Sequence, residues 1–223
     1  MAGPPQAMGS ALPSRAAWLA LSTLLGCGPP PPPEPPPAVA AAAELPPPQE
    51  FAGAAWTSLL IASVPARITL PDAGAWHASR AGSFVLFEHR PSASTIALRV
   101  WRAARLVRPS ECEAEARFLR PGLPAVAPAS RIDERRLTAP ADFDVRLVVG
   151  AEPGPGTSVR GSVLAVGAGI GRCYLASYET HADGAHAAER VADRLDALVR
   201  GFFETVELES ADRRIPPPPT GVK

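Results

Sequence analysis

Three side chains that could bind a metal ion lie close together in the sequence, at His181, Asp183 and His186. Two imidazoles and a carboxylate are ligands that zinc takes in a tetrahedral set. Their spacing matches no motif with a known mechanism, and Asp183 also suits the cap of a following helix, with His186 in its first turn. We therefore expect no metal and no cofactor. A metal-dependent enzyme or hydrolase using these three residues stays as the alternative function.

Other catalytic patterns are missing from the sequence. No serine lies in a Gly-x-Ser-x-Gly elbow, and no cysteine lies beside a histidine as a reactive nucleophile. The glycine-rich segment 167–171 leads into a strand-like segment and contains no lysine, whereas a phosphate-binding loop opens a helix. We predict a turn there, and we expect the protein not to be an enzyme.

A basic strip is the candidate binding surface. Arginine recurs at every third position from Arg99 to Arg108, and the candidate binding residues are Arg99, Trp101, Arg102 and Arg105. This strip could bind an acidic partner or a polysaccharide. The alternative is a solvated strand edge whose arginines pair with Glu111, Glu113 and Glu115. Because 22 basic residues balance 22 acidic residues, we expect no binding to nucleic acid.

The N-terminal segment predicts export. Arg15 precedes the apolar run 16–25, which is shorter than the ~20 residues that span a bilayer but fits the apolar region of a secretory signal. The next residues complete Leu24-Leu25-Gly26-Cys27, which resembles a bacterial lipobox. The resemblance implies cleavage of a signal peptide, residues 1–26, and a lipid on Cys27 that attaches the protein to the membrane. With Gly28 after the cysteine, it also implies the outer membrane. The alternative is an apolar helix of the fold.

A proline-rich stretch follows. Of the 28 prolines, 11 fall in residues 29–48, and such tracts favour extended polyproline II structure at ~3.1 Å per residue. We therefore divide the chain into the lipidated cysteine and linker (27–50), one globular domain (51–210) and a disordered tail (211–223). The domain has a common size for a single hydrophobic core.

The domain contains two cysteines, Cys112 and Cys173. An even pair in an exported domain predicts a disulfide, because the compartments outside the inner membrane are oxidising. Closing a loop of this size would stabilise the fold by roughly 4 kcal/mol in the chain-entropy model. Two free buried thiols, or half of a metal site, are the alternatives.

The first half of the domain is predicted to be rich in strands. Residues 56–64 fit a strand or a short buried element, and in the next strand Ile68 and Leu70 share one face. Two segments, 83–89 and 95–101, contain strand-forming residues on either side of a turn. We predict that these two segments form an antiparallel hairpin.

A helix and a loop should come next. Ser110 and Glu113 have the spacing of a capping box, which predicts a helix that begins there and ends before Pro121. Its first turn contains Cys112. Residues 121–141 show little periodicity, so we predict a long loop.

The second half should hold three strands and a long helix. The strands are predicted at 143–149, 158–166 and 172–178, joined by glycine-rich turns. From Asp183 the apolar residues follow helical spacing, and Gly201 suits the end of that helix. Residues 203–208 could return as a final strand.

These elements make an α+β fold in which helices pack on an antiparallel sheet. Their order resembles the PsbP-like fold, through the segment Ile68-Thr-Leu-Pro-Asp-Ala-Gly-Ala-Trp76, the hairpin 84–101 and the late helix 185–200. Members of that fold serve largely as binding and assembly modules. The sequence thus predicts a lipid-anchored protein of the bacterial cell envelope, whose domain binds or scaffolds an envelope protein or polysaccharide.

Overall fold

The structure, a computed structural model, describes residues 51, 53–103 and 106–208. The predicted signal peptide, Cys27, the linker, Arg105 and the tail lie outside the described residues. Within them, the chain forms two antiparallel sheets and few helices, which confirms the predicted α+β class.

Most of the described chain is β-structure. The strands are Trp56–Ile61 (β1), Ala66–Pro71 (β2), Trp76–Ala81 (β3), Phe84–His89 (β4), Ser94–Arg102 (β5), Arg131–Leu137 (β6), Asp144–Pro153 (β7), Val159–Gly169 (β8), Arg172–Ala182 (β9) and Glu207–Leu208 (β10). The helices are Pro109–Leu119 (α1) and Ala187–Leu198 (α2), and a π-helical turn, Val199–Phe203, continues α2. No helix among the described residues combines the length and the apolar character needed to cross a membrane.

The larger sheet has seven strands in the order β3-β4-β5-β9-β8-β7-β6. The predicted hairpin is present, with β4 antiparallel to β5 and Val85 opposite Leu98. The predicted strands of the second half are β7, β8 and β9, each of which extends beyond its predicted C-terminal end. The smaller sheet has the order β1-β2-β10.

Two separate cores lie on the two faces of the larger sheet, because successive side chains of a strand point to opposite faces. On one face, here the core face, Tyr178 and Leu98 join α2 and the smaller sheet in the main core. On the other, here the α1 face, Leu164 and Leu175 pack with Ala116 of α1. The sheet is therefore a central layer with one helix on each face.

A disulfide fixes α1 to its face of the sheet. Cys112 in the first turn of α1 is bonded to Cys173 at the start of β9, with the two α-carbons 5.6 Å apart. Both residues are fully buried. The predicted pairing is confirmed.

The start of α1 differs from the prediction. Ser110 does not cap the helix, because α1 begins at Pro109 and Ser110 is already helical. The backbone N–H of Arg108 instead donates to the Glu111 carboxylate, 2.9 Å away. Proline suits the first helical position because its missing N–H would have no partner there.

The two edge strands of the larger sheet were not predicted. Within the predicted loop 121–141, residues Arg131–Leu137 form β6. Five of its seven side chains are charged, and most are exposed. The other edge strand, β3, contains only one buried side chain, Trp76. Edge strands of this kind lack the alternation of apolar and polar residues on which strand prediction depends.

The end of the late helix also differs. Gly201 does not terminate it but lies inside the π-helical turn. A Cβ on Gly201 would come within 2.1 Å of the Trp56 ring, so close packing with β1 requires the glycine. Only Glu207 and Leu208 of the predicted final strand pair with β2.

Arg194 is buried at one end of the core face. Its Nη1 donates to the carbonyl oxygens of Ser92 (2.9 Å) and His181 (2.8 Å) and to Oγ1 of Thr180 (3.0 Å). Ser94 Oγ also donates to Thr180 Oγ1. These bonds connect α2 to the turn before β5 and to the end of β9, and they satisfy polar groups that burial would otherwise penalise.

Candidate binding cleft

Helix α1 lies over one end of its sheet face, and the other end is polar. In register, Glu179 of β9 lies opposite Ser162 of β8, and the next row on that face pairs His181 with Arg160. On β7, Glu152 lies opposite Arg160. Strand alternation brings these side chains to the α1 face beyond the end of the helix.

The segment after α1, residues 122–126, folds back over this polar end and encloses a cleft of about 210 Å³. A Cβ on Gly150 of β7 would come within 2.5 Å of a Val126 methyl carbon, so the segment approaches the sheet only because Gly150 has no side chain. The cleft is lined by Gly122, Leu123, Pro124, Ala125, Val126, Ser130, Gly150, Ala151, Glu152, Arg160, Ser162 and Glu179.

Arg117 of α1 holds this segment in place. Its guanidinium donates to the carbonyl oxygens of Leu123 (3.1 Å) and Pro124 (3.0 Å). The same guanidinium pairs with Glu113 at 2.9 Å, and Glu113 also accepts a hydrogen bond from Arg146 of β7. Because the disulfide fixes α1, it also fixes the wall of the cleft.

Glu179 is the most unusual group in the cleft. Burial raises the pKa of its carboxyl above the usual range, while the charges of Arg160 and Arg120 lower it by less. Among the described residues no donor reaches it within hydrogen-bond distance, and no cation lies within 4 Å to form an ion pair with it. A half-buried carboxylate of this kind can accept hydrogen bonds from a ligand.

A second, larger cleft of about 450 Å³ continues from the first and shares Glu152 and Arg160 with it. The two shared side chains form an ion pair at 3.6 Å. His181 and Asp183 line the far side, and the turn 153–155 forms one end. The two clefts together form a polar groove along the ends of β7, β8 and β9.

The three candidate metal-ligating residues do not converge. His181 and Asp183 line the second cleft, whereas Nδ1 of His186 lies 2.6 Å from the Glu189 carboxylate on α2. The predicted helix cap at Asp183 is wrong, because His186 precedes the first helical residue. Within the part of the chain that the structure describes, no group of three His, Cys, Asp or Glu side chains could hold a metal ion.

The arginine strip is not one exposed surface over its described part. Arg99 is only 9% exposed, and its guanidinium lies 4.3 Å from the centre of the Trp101 ring and 5.5 Å from that of Phe84. It also lies 3.8 Å from the Glu115 carboxylate, one of the pairs that the alternative interpretation proposed. That alternative placed the strip on a solvated strand edge, whereas β5 lies between β4 and β9. Burial lowers the pKa of Arg99. Arg102, at the end of β5, is exposed.

Comparison with known proteins identifies no family. No family model and no curated protein matches the chain. One solved structure, of a protein from Bacteroides thetaiotaomicron VPI-5482, aligns with 70% of this chain at 11% identity and a TM-score of 0.41. The aligned part is 49% of that protein, so this chain spans about half its length. A likeness at this level carries no functional argument.

The sequence analysis missed Glu179 and Ser162. A signal for them exists in β8 and β9, where the α1-face positions change from apolar to polar along each strand. In β8, the α1-face residues are Arg160 and Ser162 in the N-terminal half and the apolar Leu164 and Val166 further along. The core-face residues of the same strand are apolar or glycine throughout. A strand that loses its apolar pattern on one face alone indicates that this face is uncovered there.

Proposed function

We propose that this chain is a lipid-anchored lipoprotein of the bacterial cell envelope whose α+β domain is a binding module. The lipobox-like segment ending in Cys27, the proline-rich linker and the disulfide support this proposal. Disulfides persist in oxidising compartments and are rare in the cytosol. Gly28 after the lipidated cysteine supports placement in the outer membrane.

The finer fold that we propose is a PsbP-like sandwich. One helix packs on each face of a central antiparallel sheet, and the sequence predicted helices packed on such a sheet. A hairpin, β1-β2, precedes the larger sheet. Members of that fold serve largely as binding and assembly modules, which agrees with a domain that presents a cleft.

The groove beside Glu179 is the observation that carries the binding proposal. Its wall is held by Arg117 and, through α1, by the disulfide, so the cleft is formed before any ligand arrives. Preformed concave sites with a few placed polar groups are typical of ligand-binding sites. No observation on the described residues favours the metal-dependent alternative, because His186 is directed to Glu189.

A site-specific photo-crosslinker tests the proposed function in the anchored protein. Placed at Ser162, inside the cleft, it should capture an envelope protein or polysaccharide fragment. Placed at Ala114, on the exposed side of α1, it should not. Equal capture at both positions, or none at Ser162, would contradict a binding role for the cleft.

A further inference from the structure

We infer that the smaller cleft binds an organic cation with a short aliphatic stem, whose ammonium or guanidinium group is held by the Glu179 carboxylate. This inference rests on the proposed binding function and names the chemistry of its ligand. It concerns the space between Ser162, Glu179 and the segment 122–126.

The charges in the cleft favour a cation. Arg160 is already paired with Glu152 at 3.6 Å, so its charge is partly satisfied within the cleft. The Glu179 carboxylate has no hydrogen bond or ion pair from the described residues. In a partly water-excluded site a charge-assisted hydrogen bond is stronger than in bulk water. Glu152 is satisfied by the same ion pair, and Arg120, whose charge also acts on Glu179, does not line the cleft. An anion would therefore face the unpaired Glu179 carboxylate.

A metal cation fits the cleft poorly. Calcium takes six to eight oxygen ligands, and magnesium requires near-octahedral geometry. The described residues provide no group of three candidate ligands. An organic cation needs only one carboxylate, because its carbon atoms can be bound by apolar surface.

The shape of the cleft supplies that apolar surface. Opposite the polar sheet, its wall consists of Leu123, Pro124, Ala125 and Val126. An aliphatic stem lying on this wall would bury apolar area, at about 25 cal/mol per Å². The volume of about 210 Å³ is roughly that of seven water molecules in the liquid, which suits a stem of a few carbon atoms.

Titration of the full-length protein in detergent with n-butylammonium, followed by amide NMR shifts, tests the inference. We expect saturable shifts of the backbone amides on both sides of Pro124, at Leu123 and Ala125, and of the amide of Ser162. n-Butanol, which has the same stem without the charge, should bind at least ten times more weakly. Equal shifts with both compounds would overturn the inference.

Two variants locate the binding. Glu179→Gln keeps the shape of the side chain and removes its charge, so it should weaken n-butylammonium binding at least tenfold. Glu88→Gln removes the same charge from an exposed position on the same face, outside the cleft, and should leave binding unchanged. If Glu179→Gln is poorly folded, Ser162→Leu, which fills the cleft, provides the same test. If the folded variant of these two binds n-butylammonium as tightly as the wild type does, the proposed site is wrong.

The source of the cation is distinguished by a second probe, an acetylated Gly-Lys-Gly amide. Tighter binding of the peptide than of n-butylammonium would assign the cleft to a lysine side chain of a partner protein. Tighter binding of the free amine would assign it to small amines. If neither probe binds while the crosslinker at Ser162 still captures a partner, the cation inference fails and the proposed binding function remains.

Discussion

The ring of Trp56 lies directly against the backbone of Gly201, so closely that a Cβ on the glycine would come within 2.1 Å of a ring carbon. Trp56 belongs to β1 in the smaller sheet, and Gly201 belongs to the π-helical turn after α2. The contact therefore fixes the smaller sheet against the end of the helix on the core face.

Gly201→Ala should displace the Trp56 ring. We expect a loss of about 1–3 kcal/mol in the free energy of unfolding, as for other overpacked sites. Chemical denaturation measures the loss. Gly74→Ala provides a control, since a Cβ there meets nothing within 4 Å. In a Trp56→Ala background the same Gly201→Ala change should cost nothing or stabilise, because alanine is the better helix former. An equal loss in both backgrounds would exclude the ring as the cause.

Loss of the disulfide should destabilise the domain by roughly 4 kcal/mol, which corresponds to a melting temperature lower by about 10 °C. In the full chain carrying Cys27→Ser, the substitutions Cys112→Ala and Cys173→Ala should have equal effects. The double variant should match either single variant, because one bond is lost in all three. Two thiols that react in the unfolded protein before reduction would refute the bond.

Replacing the buried arginine should be costly. Arg194→Met removes a donor that serves two carbonyl oxygens and Thr180, and the acceptors on Ser92 and Thr180 are buried. We expect a loss of about 3 kcal/mol in the free energy of unfolding. Arg200→Met, which removes an exposed arginine paired with Asp196 on the same helical segment, should cost less than about 1 kcal/mol. Similar losses for the two variants would mean that burial of Arg194 has no special role.

Glu179 should make stability depend on pH in a specific direction. Its pKa is raised in the folded protein, so the folded state binds this proton more tightly than the unfolded state does. Ionisation of Glu179 therefore disfavours the folded state as the pH rises above the ordinary value of 4.5. Glu179→Gln should melt above the wild type at pH 7, and the difference should shrink towards pH 4. A difference that grows as the pH falls would have the wrong sign.

Anchoring through Cys27 has a direct test. Metabolic labelling with a fatty acid should mark the protein, and Cys27→Ser should abolish the label and release the protein from membranes. Membrane fractionation with and without the substitution provides the measurement. Labelling that survives the substitution would contradict the lipobox interpretation.

Buried, regularly patterned segments could be predicted from the sequence. The hairpin β4-β5 and the strands β7 to β9 show apolar runs or an alternation of apolar and polar residues. The disulfide was predicted because the domain contains an even number of cysteines and is predicted to be exported. Strand β6 could not be found in this way, because Arg131–Leu137 carries charged side chains on both faces. This segment forms a strand because it pairs with the neighbouring strand β7.

The candidate site depended on contacts that no local pattern contains. Glu179 follows apolar residues of β9, and its environment is set by residues 122–126, far away in the sequence. Those residues reach the sheet because Arg117 holds their carbonyl oxygens and Gly150 leaves room for Val126. Gly201 shows the same limit, since its role is set by Trp56 rather than by the helix that it was predicted to end.

The disulfide also determines how the domain would respond to a mechanical load. Cys112 and Cys173 are separated by 61 positions in the sequence, and the segment between them includes β6, β7 and β8. A force applied at the two chain ends passes through the sulfur atoms and bypasses this segment. The bond therefore prevents about 200 Å of chain from being extended, at ~3.3–3.6 Å per residue. Under load, strands β6 to β8 can separate from one another, but the segment between the two cysteines cannot be extended. After reduction of the disulfide, the extension measured on unfolding should therefore increase by that length.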